Sequence, residues 1–243
     1  MIAVFAKAYR FILVMLLIYT GILAQQVGLV DYLSVPSNYM YINKLLWEHI
    51  RLVAISMFFA TLLGVSIGIV LTRKRFRKFA GVVMYIVGLG QTIPSLAVLA
   101  LMMSILGIGV KTAIFALFVY SILPIARNTL AGITAVPPAM IDAAKGMGMP
   151  GWRILWEVEI PNSMQIILTG FRVALVINIG TAALSYLVGA GGLGDLIFTG
   201  ISLMKTRVLL AGAIPTTLLA LFADYLCEVL GLLLVSKGLR LEQ

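Results

Sequence analysis

Long apolar stretches separated by short polar segments dominate the hydropathy pattern of this chain. They lie at about 11–30, 50–71, 80–103, 112–135, 161–186 and 208–235. Each is close to the roughly 20 residues that an α-helix needs to cross about 30 Å of hydrocarbon. The pattern therefore predicts an all-α membrane protein with six transmembrane helices.

The composition agrees with a protein whose solvent is the bilayer. Hydrophobic residues make up 62% of the 243 residues and charged residues only 11%, with a mean hydropathy of +1.10, whereas about a quarter of the residues in soluble domains are charged. The first stretch is too long for a signal peptide and lacks a clear cleavage site, so we expect it to be retained. No linker or fixed repeat divides residues 1–243, which predicts a single transmembrane domain.

The basic residues predict an orientation. If the N-terminus lies in the cytoplasm, most of the 18 lysines and arginines fall in cytoplasmic segments. These segments include the run TRKRFRKF at 72–79. Because cytoplasmic loops carry the excess of these residues, both termini are predicted to face the cytoplasm. The basic run either anchors this topology or also contacts anionic membrane lipid. The net charge of +9 is thus mainly a topology signal, and no nucleic-acid partner is expected.

Motifs for several common chemistries are missing. The sequence has no Walker-type loop, no histidine pair for zinc and no Ser/His/Asp set, since His49 is the single histidine. We therefore expect no enzymatic activity, metal site or cofactor in this chain. The letters GAGGLG at 189–194 match a dinucleotide fingerprint, but they follow a predicted membrane helix instead of a strand. They predict a flexible or re-entrant turn beside a transport pathway.

The segment 127–160 is the longest predicted connection between spans and must have its own structure. Pro137 and Pro138 predict the start of a helix, which continues for about two turns until Gly148 ends it. A second short helix, WRILWEVEI, follows and places Trp152 and other large apolar residues on one face. Pro161 then opens the next span. On pattern alone, an amphipathic helix lying on the inner leaflet is the alternative.

The spacing within this segment resembles a known motif. Asp142, Ala143, Ala144, Gly148 and Pro161 follow the EAA motif of inner-membrane permeases of ATP-binding-cassette (ABC) importers, E-A-A-x3-G-x9-I-x-L-P, with Asp for Glu, Val for Ile and Ile for Leu. The resemblance extends over about 45–235. Two segments, GQTIPSLAVLAL (90–101) and NIGTAALSYLVGAGGLGDLIFTGI (178–201), are similar to permeases of the osmoprotectant branch, which import glycine betaine, choline and carnitine.

This resemblance implies a type I ABC importer permease in the inner (plasma) membrane, with several passes. The helix at 137–150, which carries Asp142, Ala143, Ala144 and Gly148, would be the coupling helix that docks on ABC ATPase subunits, which bind ATP and Mg²⁺. Trp152 and Pro161, just after it, would also take part in the coupling. The other expected partners are a second permease chain, identical or homologous, an extracytoplasmic substrate-binding protein and membrane lipid.

Polar residues inside the apolar stretches are candidates for the translocation pathway. Asn178, Thr181 and Ser185 share one face of the fifth predicted helix, although such residues also commonly hydrogen-bond neighbouring helices. Gln91 and Thr92 precede Pro94, which interrupts a helix and frees a carbonyl. These three residues predict a kink or gate.

Three charged residues lie at similar depths in the last two spans. At about 1.5 Å per residue, Arg172 is roughly 16 Å from the inner face, and Asp224 and Glu228 are roughly 20 and 14 Å from it. Asp224 and Glu228 are four residues apart and share a helix face. The depths predict a buried ion cluster, with a structural role favoured over a transport role.

Other functions are compatible with parts of this pattern. An ABC permease for an amino acid or a methionine-like solute would share the EAA spacing. A proton- or sodium-driven carrier would use Asp224 and Glu228 as a relay, but the EAA spacing and the absence of inverted halves count against it. A membrane enzyme is the weakest alternative, since no catalytic constellation is present.

Overall fold

The computed structural model describes residues 21, 22 and 24–234, and every regular element in this part of the chain is helical. The helices are α1 (Leu29–Ser34), α2 (Pro36–Thr72), α3 (Ala80–Thr92), α4 (Ser95–Leu106), α5 (Val110–Thr134), α6 (Pro138–Gly146), α7 (Ile160–Ala182), α8 (Gly194–Ser202) and α9 (Thr206–Leu234). Short connecting segments are the 3₁₀ helices Arg77–Phe79 and Ala183–Val188, the turn Gly151–Arg153 and the π-helix Ile154–Glu159. The all-α prediction is confirmed for the described residues.

Four helical segments are long and apolar enough to cross a membrane. They are Pro36–Thr72, Val110–Thr134, Gly151–Val188 and Thr206–Leu233. A fifth span results if the bent pair Arg77–Thr92 and Ser95–Leu106 is taken as one. These segments correspond to five of the six predicted stretches, and the remaining one, at 11–30, lies mostly outside the described residues.

The predicted span at 80–103 is not a single straight helix. Helices α3 and α4 meet at 94°, and Ile93 between them is extended, with φ −78° and ψ 129°. A residue that precedes proline is driven out of the helical region by the proline ring, so Pro94 accounts for the break. Hydropathy does not reveal it, because both arms are apolar.

The main core lies where α2, α5 and α7 cross, and small residues allow these helices to approach closely. A Cβ atom added to Gly64 of α2 would lie 2.9 Å from the Ile125 Cβ of α5, and one added to Gly170 of α7 would lie 2.5 Å from the Asn128 Cβ. Because lipid tails are as apolar as leucine, such close packing is a main source of helix association in membranes.

The helix ends form two groups. The end of α2, the start of α3, the end of α5, α6 and residues 151–159 lie together, and we call this the α6 end. At the opposite end, the first half of α2 and the loop before α5 meet the turn that follows residue 188.

The chain enters α7 differently from the prediction. Residues 151–188 form one continuous helical segment, whereas a separate short helix and a new span beginning at Pro161 were expected. The π-helix Ile154–Glu159 comes just before Pro161, which occupies the first turn of α7. A wider turn leaves room for a ring that would otherwise clash with the preceding helical carbonyl. Similarly, α5 continues to Thr134, so Arg127 lies inside a helix.

Candidate functional site

Helix α6 presents the residues of the EAA-like motif at the edge of the molecule. Ala144 is only 1% exposed and holds the helix against the neighbouring π-helix. Asp142 and Ala143 are exposed, and the Asp142 carboxylate accepts a hydrogen bond from Lys145 Nζ at 2.9 Å. Helix α6 is therefore anchored at Ala144, while Asp142 and Ala143 remain exposed in the described chain.

The end of α6 has the hydrogen bonds of a Schellman motif. The Gly148 N–H donates to the Lys145 carbonyl at 2.9 Å, and the Met149 N–H donates to the Ala144 carbonyl at 3.1 Å. Gly148 has φ +78°, in the left-handed region that glycine adopts without a Cβ penalty. No atom lies within 4 Å of a Cβ added there. The prediction that Gly148 terminates the helix is confirmed.

The tryptophans after Gly148 are uncovered. Trp152 and Trp156 are 65% and 62% exposed, whereas Ile154 between them is buried. Arg153 and Glu157 form an ion pair at 2.7 Å on the same segment. Large exposed aromatic side chains beside α6 are typical of a surface that meets a membrane interface or another protein.

An ion pair that the sequence did not predict ties the α6 end together. Arg73, just after α2, donates to the carboxylate of Glu159, which is only 8% exposed. The pair joins residues that are 86 positions apart. Its one sequence signal was an acidic residue placed between apolar Val158 and Ile160.

Asn178 occupies the centre of the α2, α5 and α7 crossing. It is fully buried, and its Nδ2 atom donates to Ser121 Oγ at 2.7 Å and Ser56 Oγ at 3.0 Å. These contacts join three helices. They are the contacts of a packing residue, and a role of Asn178 in the pathway remains a prediction.

The other predicted pathway residues lie at the end of α7, in the 3₁₀ helix that follows it, and at the bend between α3 and α4. Thr181 is half-buried and donates to carbonyls of its own helix, while Ser185 is buried with no hydrogen-bond partner among the described residues. Gln91 Nε2 donates to the Tyr120 carbonyl at 2.9 Å. Thr92 and Pro94 are exposed at the 94° bend. The predicted kink is therefore present, and a shared role of these residues in the pathway remains a prediction.

The three predicted charges of the last two spans are in contact. The Arg172 guanidinium donates through two nitrogens to both carboxylate oxygens of Asp224, and its Nη2 atom lies 3.6 Å from Glu228 Oε2. The cluster is not buried within this chain: the side chains of Arg172, Asp224 and Glu228 are 37%, 35% and 56% exposed. Charges at this depth normally face protein or water. We therefore expect the face of α7 and α9 that carries this cluster to be covered by protein or water and not by lipid tails.

The glycine-rich turn at 189–194 packs against α2 at the opposite end. Gly191 and Gly192 have φ +79° and +87°, and the Gly192 N–H donates to Glu48 Oε2 at 3.2 Å. The predicted turn is present, and it is tight: its glycines allow the close approach of Glu48 and His49. Its place beside the transport pathway remains a prediction.

Comparison with known proteins places these features in a family. Residues 60–232 match the family of the binding-protein-dependent transport system inner membrane component. The osmoprotectant import permease protein OsmY of Salmonella typhimurium is 50% identical over 184 residues, which cover 76% of this chain and 78% of the relative. The carnitine transport permease protein OpuCD of Listeria monocytogenes is 42% identical, with coverages of 82% and 87%.

A third relative and a solved structure agree. The glycine betaine/carnitine/choline transport system permease protein OpuCB of Bacillus subtilis is 42% identical over 193 residues, with coverages of 79% and 88%. The backbone resembles inward-facing conformations of the MetNI methionine ABC transporter, with a TM-score of 0.74 and 22% identity over 83% of this chain and 100% of that chain. At this identity the likeness shows the fold alone.

Proposed function

Because this chain belongs to the family of inner-membrane components of binding-protein-dependent transport systems, we propose that it forms the membrane route of an ATP-driven importer for quaternary-amine osmoprotectants. It is a multi-pass inner-membrane transport permease. The identity of the solute, the partner subunits and the steps of transport are our proposal.

The substrate class is proposed from the relatives. Those with 42–50% identity are named for osmoprotectants, for carnitine, and for glycine betaine, carnitine and choline. The last three solutes share a trimethylammonium group, a cation that aromatic faces hold well. We assign its selection to an extracytoplasmic binding protein and assign to this chain a less selective route.

Helix α6 is the proposed docking element for the ATPase subunits. Its exposed face, its Schellman end at Gly148 and the exposed Trp152 beside it together form a surface with no partner in the described chain. This combination is the single observation that carries the proposal. ATP and Mg²⁺ would bind to the ATPase subunits, and ATP-driven movement of α6 would shift the spans between inward- and outward-facing states.

A second permease chain and the full topology complete the proposal. Helix α3 has no buried residue, and only 11% of the apolar window of Thr206–Leu233 is buried. A second chain, identical or homologous, would cover part of this surface and supply the other half of the route. Six spans with both termini in the cytoplasm would place the α6 end where an ATPase can reach it.

The test is uptake in cells that lack their own osmoprotectant importers. The chain would be expressed with a cognate ATPase and binding protein, and uptake of labelled choline, glycine betaine, carnitine and methionine would be compared. We expect uptake of the three quaternary amines only when all subunits are present. Uptake of methionine instead would refute the substrate class.

The same cells separate this proposal from an ion-driven carrier. Replacing the ATPase subunit by a variant with an inactivated ATP site should abolish uptake. Collapsing the proton gradient with an ionophore, while cellular ATP is held constant, should leave uptake intact. A carrier that uses Asp224 and Glu228 as a relay predicts the opposite pair of results, together with activity of this chain alone.

A further inference from the structure

A cavity at the α6 end is not used by the proposed route. Its volume is about 660 Å³, within the roughly 300–1,000 Å³ range of small-molecule sites. It lies between the end of α2, the start of α3, the last turns of α5 and one side of α6. The cavity therefore touches both the basic run at 72–79 and the proposed docking helix.

The charges that line this cavity do not balance. Of its two acidic residues, Asp142 pairs with Lys145 at 2.9 Å, and Glu159 pairs with Arg73. Arg77 and Arg127 also line the cavity, and neither has an ion-pair partner among the described residues. Two guanidinium groups thus remain for an anion, and guanidinium matches phosphate oxygens through paired hydrogen bonds.

Most of the remaining lining is apolar, with Thr72 and Thr134 as the polar exceptions, which argues for a lipid over a free anion. Leu71, Leu130 and Ile141 are among the aliphatic side chains around the cavity. Arg127 lies seven residues before the end of α5, roughly 10 Å along the helix at about 1.5 Å per residue. A ligand that places a phosphate at Arg77 and Arg127 and hydrocarbon against these side chains has the chemistry of an anionic phospholipid.

We propose that this cavity is a binding site for the headgroup of an anionic phospholipid, held by Arg77 and Arg127. Occupancy brings lipid into contact with Pro138 and Ile141 of α6, so that the bound lipid supports the position of that helix. This effect on α6 rests on the proposed docking function. Lipid binding itself depends only on the cavity and its charges.

The test is native mass spectrometry of the full-length chain, purified with the subunits that it retains. The protein is titrated with phosphatidylglycerol or phosphatidylcholine, and bound lipid is counted. We expect one tightly held phosphatidylglycerol per chain and weaker, nonspecific binding of phosphatidylcholine. A hydrogen bond between a guanidinium and a phosphate contributes about tenfold or more to binding, so Arg77→Gln/Arg127→Gln should bind phosphatidylglycerol about 100-fold more weakly.

A matched variant separates a built site from general attraction. Lys74→Gln/Arg75→Gln removes the same amount of charge, two basic residues of the run at 72–79, but neither residue lines the cavity. This control should bind lipid far more tightly than the Gln pair at Arg77 and Arg127 does. Arg77→Lys/Arg127→Lys keeps the charge but loses the paired hydrogen bonds, so its binding should lie between that of the native protein and that of the Gln pair. Equal losses in the two Gln pairs would overturn the proposal.

Two further results would also overturn it. One is equal binding of phosphatidylglycerol and phosphatidylcholine to the native protein, a comparison that needs no variant and holds even if a variant fails to fold. The other is displacement of phosphatidylglycerol by millimolar inorganic phosphate, which would identify a free-anion site. Failure of choline uptake with lipid binding intact would count against the transported solute and leave this site standing.

Discussion

Replacing Gly148 by leucine tests whether the end of α6 couples transport to ATP. The native residue has φ +78°, and the space around an added Cβ is open in this chain. The substitution therefore acts first on the backbone and not through a clash within the permease. A leucine side chain would also project into the surface on which the ATPase is proposed to dock.

The size of the effect follows from the hydrogen bonds at this end. A left-handed conformation costs a residue with a Cβ about 1–2 kcal/mol. Helix α6 has nine residues, fewer than the roughly 12–15 that an isolated helix needs to be stable in water. The penalty therefore falls on a helix with little intrinsic stability. If the Gly148 and Met149 bonds open, the ratio of formed to frayed helix ends falls by about 5–30-fold. Because uptake depends on the fraction of formed ends, this factor is the largest loss of uptake that the backbone penalty can cause.

The assay is initial uptake of labelled choline, measured with membrane abundance and ATPase activity of the purified complex. We expect abundance to be unchanged, uptake to fall and ATP hydrolysis to continue uncoupled. Gly148→Asn is the matched control for the backbone, because asparagine tolerates the left-handed conformation. Gly146→Ala controls for a change within α6, since Gly146 is helical and has open space around it.

Full uptake by Gly148→Leu at native abundance would refute the coupling function of this end. A loss of abundance equal to the loss of uptake would refute it as well, because the residue would then act on folding. An equally impaired Gly148→Asn variant would show that the left-handed backbone is not what matters.

Three further predictions concern the ion cluster of α7 and α9, the buried Asn178 and the close contact at Gly194. Arg172→Leu or Asp224→Leu alone should reduce membrane abundance more than the double variant, because an unpaired charge destabilises the protein more than an apolar pair does. Immunoblots of membrane fractions measure this abundance. A double variant no more abundant than the less abundant single variant would contradict the prediction. Asn178→Ala should destabilise the protein by about 1–2 kcal/mol, seen in thermal unfolding, and leave the order of preference among choline, betaine and carnitine unchanged; an altered order would place a specificity site there. The added Cβ of Gly194→Ala would overlap the backbone carbonyl of Ala183 at the end of α7 and lower the stability of the fold by about 3 kcal/mol or more. Gly180→Ala, which has open space around its Cβ, should accumulate normally in the membrane. Equal abundance of the two variants would contradict the structure.

Properties that depend on distance along one helix were readable from the sequence. Apolar stretches of sufficient length identified the membrane helices, because the thickness of hydrocarbon sets their length. The constant rise per residue placed Arg172 level with Asp224 and Glu228, and the structure brings these residues into contact. Gly148 was identified as a helix end because glycine alone adopts the left-handed backbone without penalty.

Properties that depend on which element covers a helix face were decided only by the tertiary structure. Periodicity shows that Asn178 lies on a polar face, but only the crossing of α2, α5 and α7 makes that face an interior. Arg73 and Glu159 are paired across 86 positions, and no local pattern carries such a contact. The same holds for the cavity beside α6, because its walls come from residues 71–80, residues 127–145 and Glu159, which meet only when the helices pack.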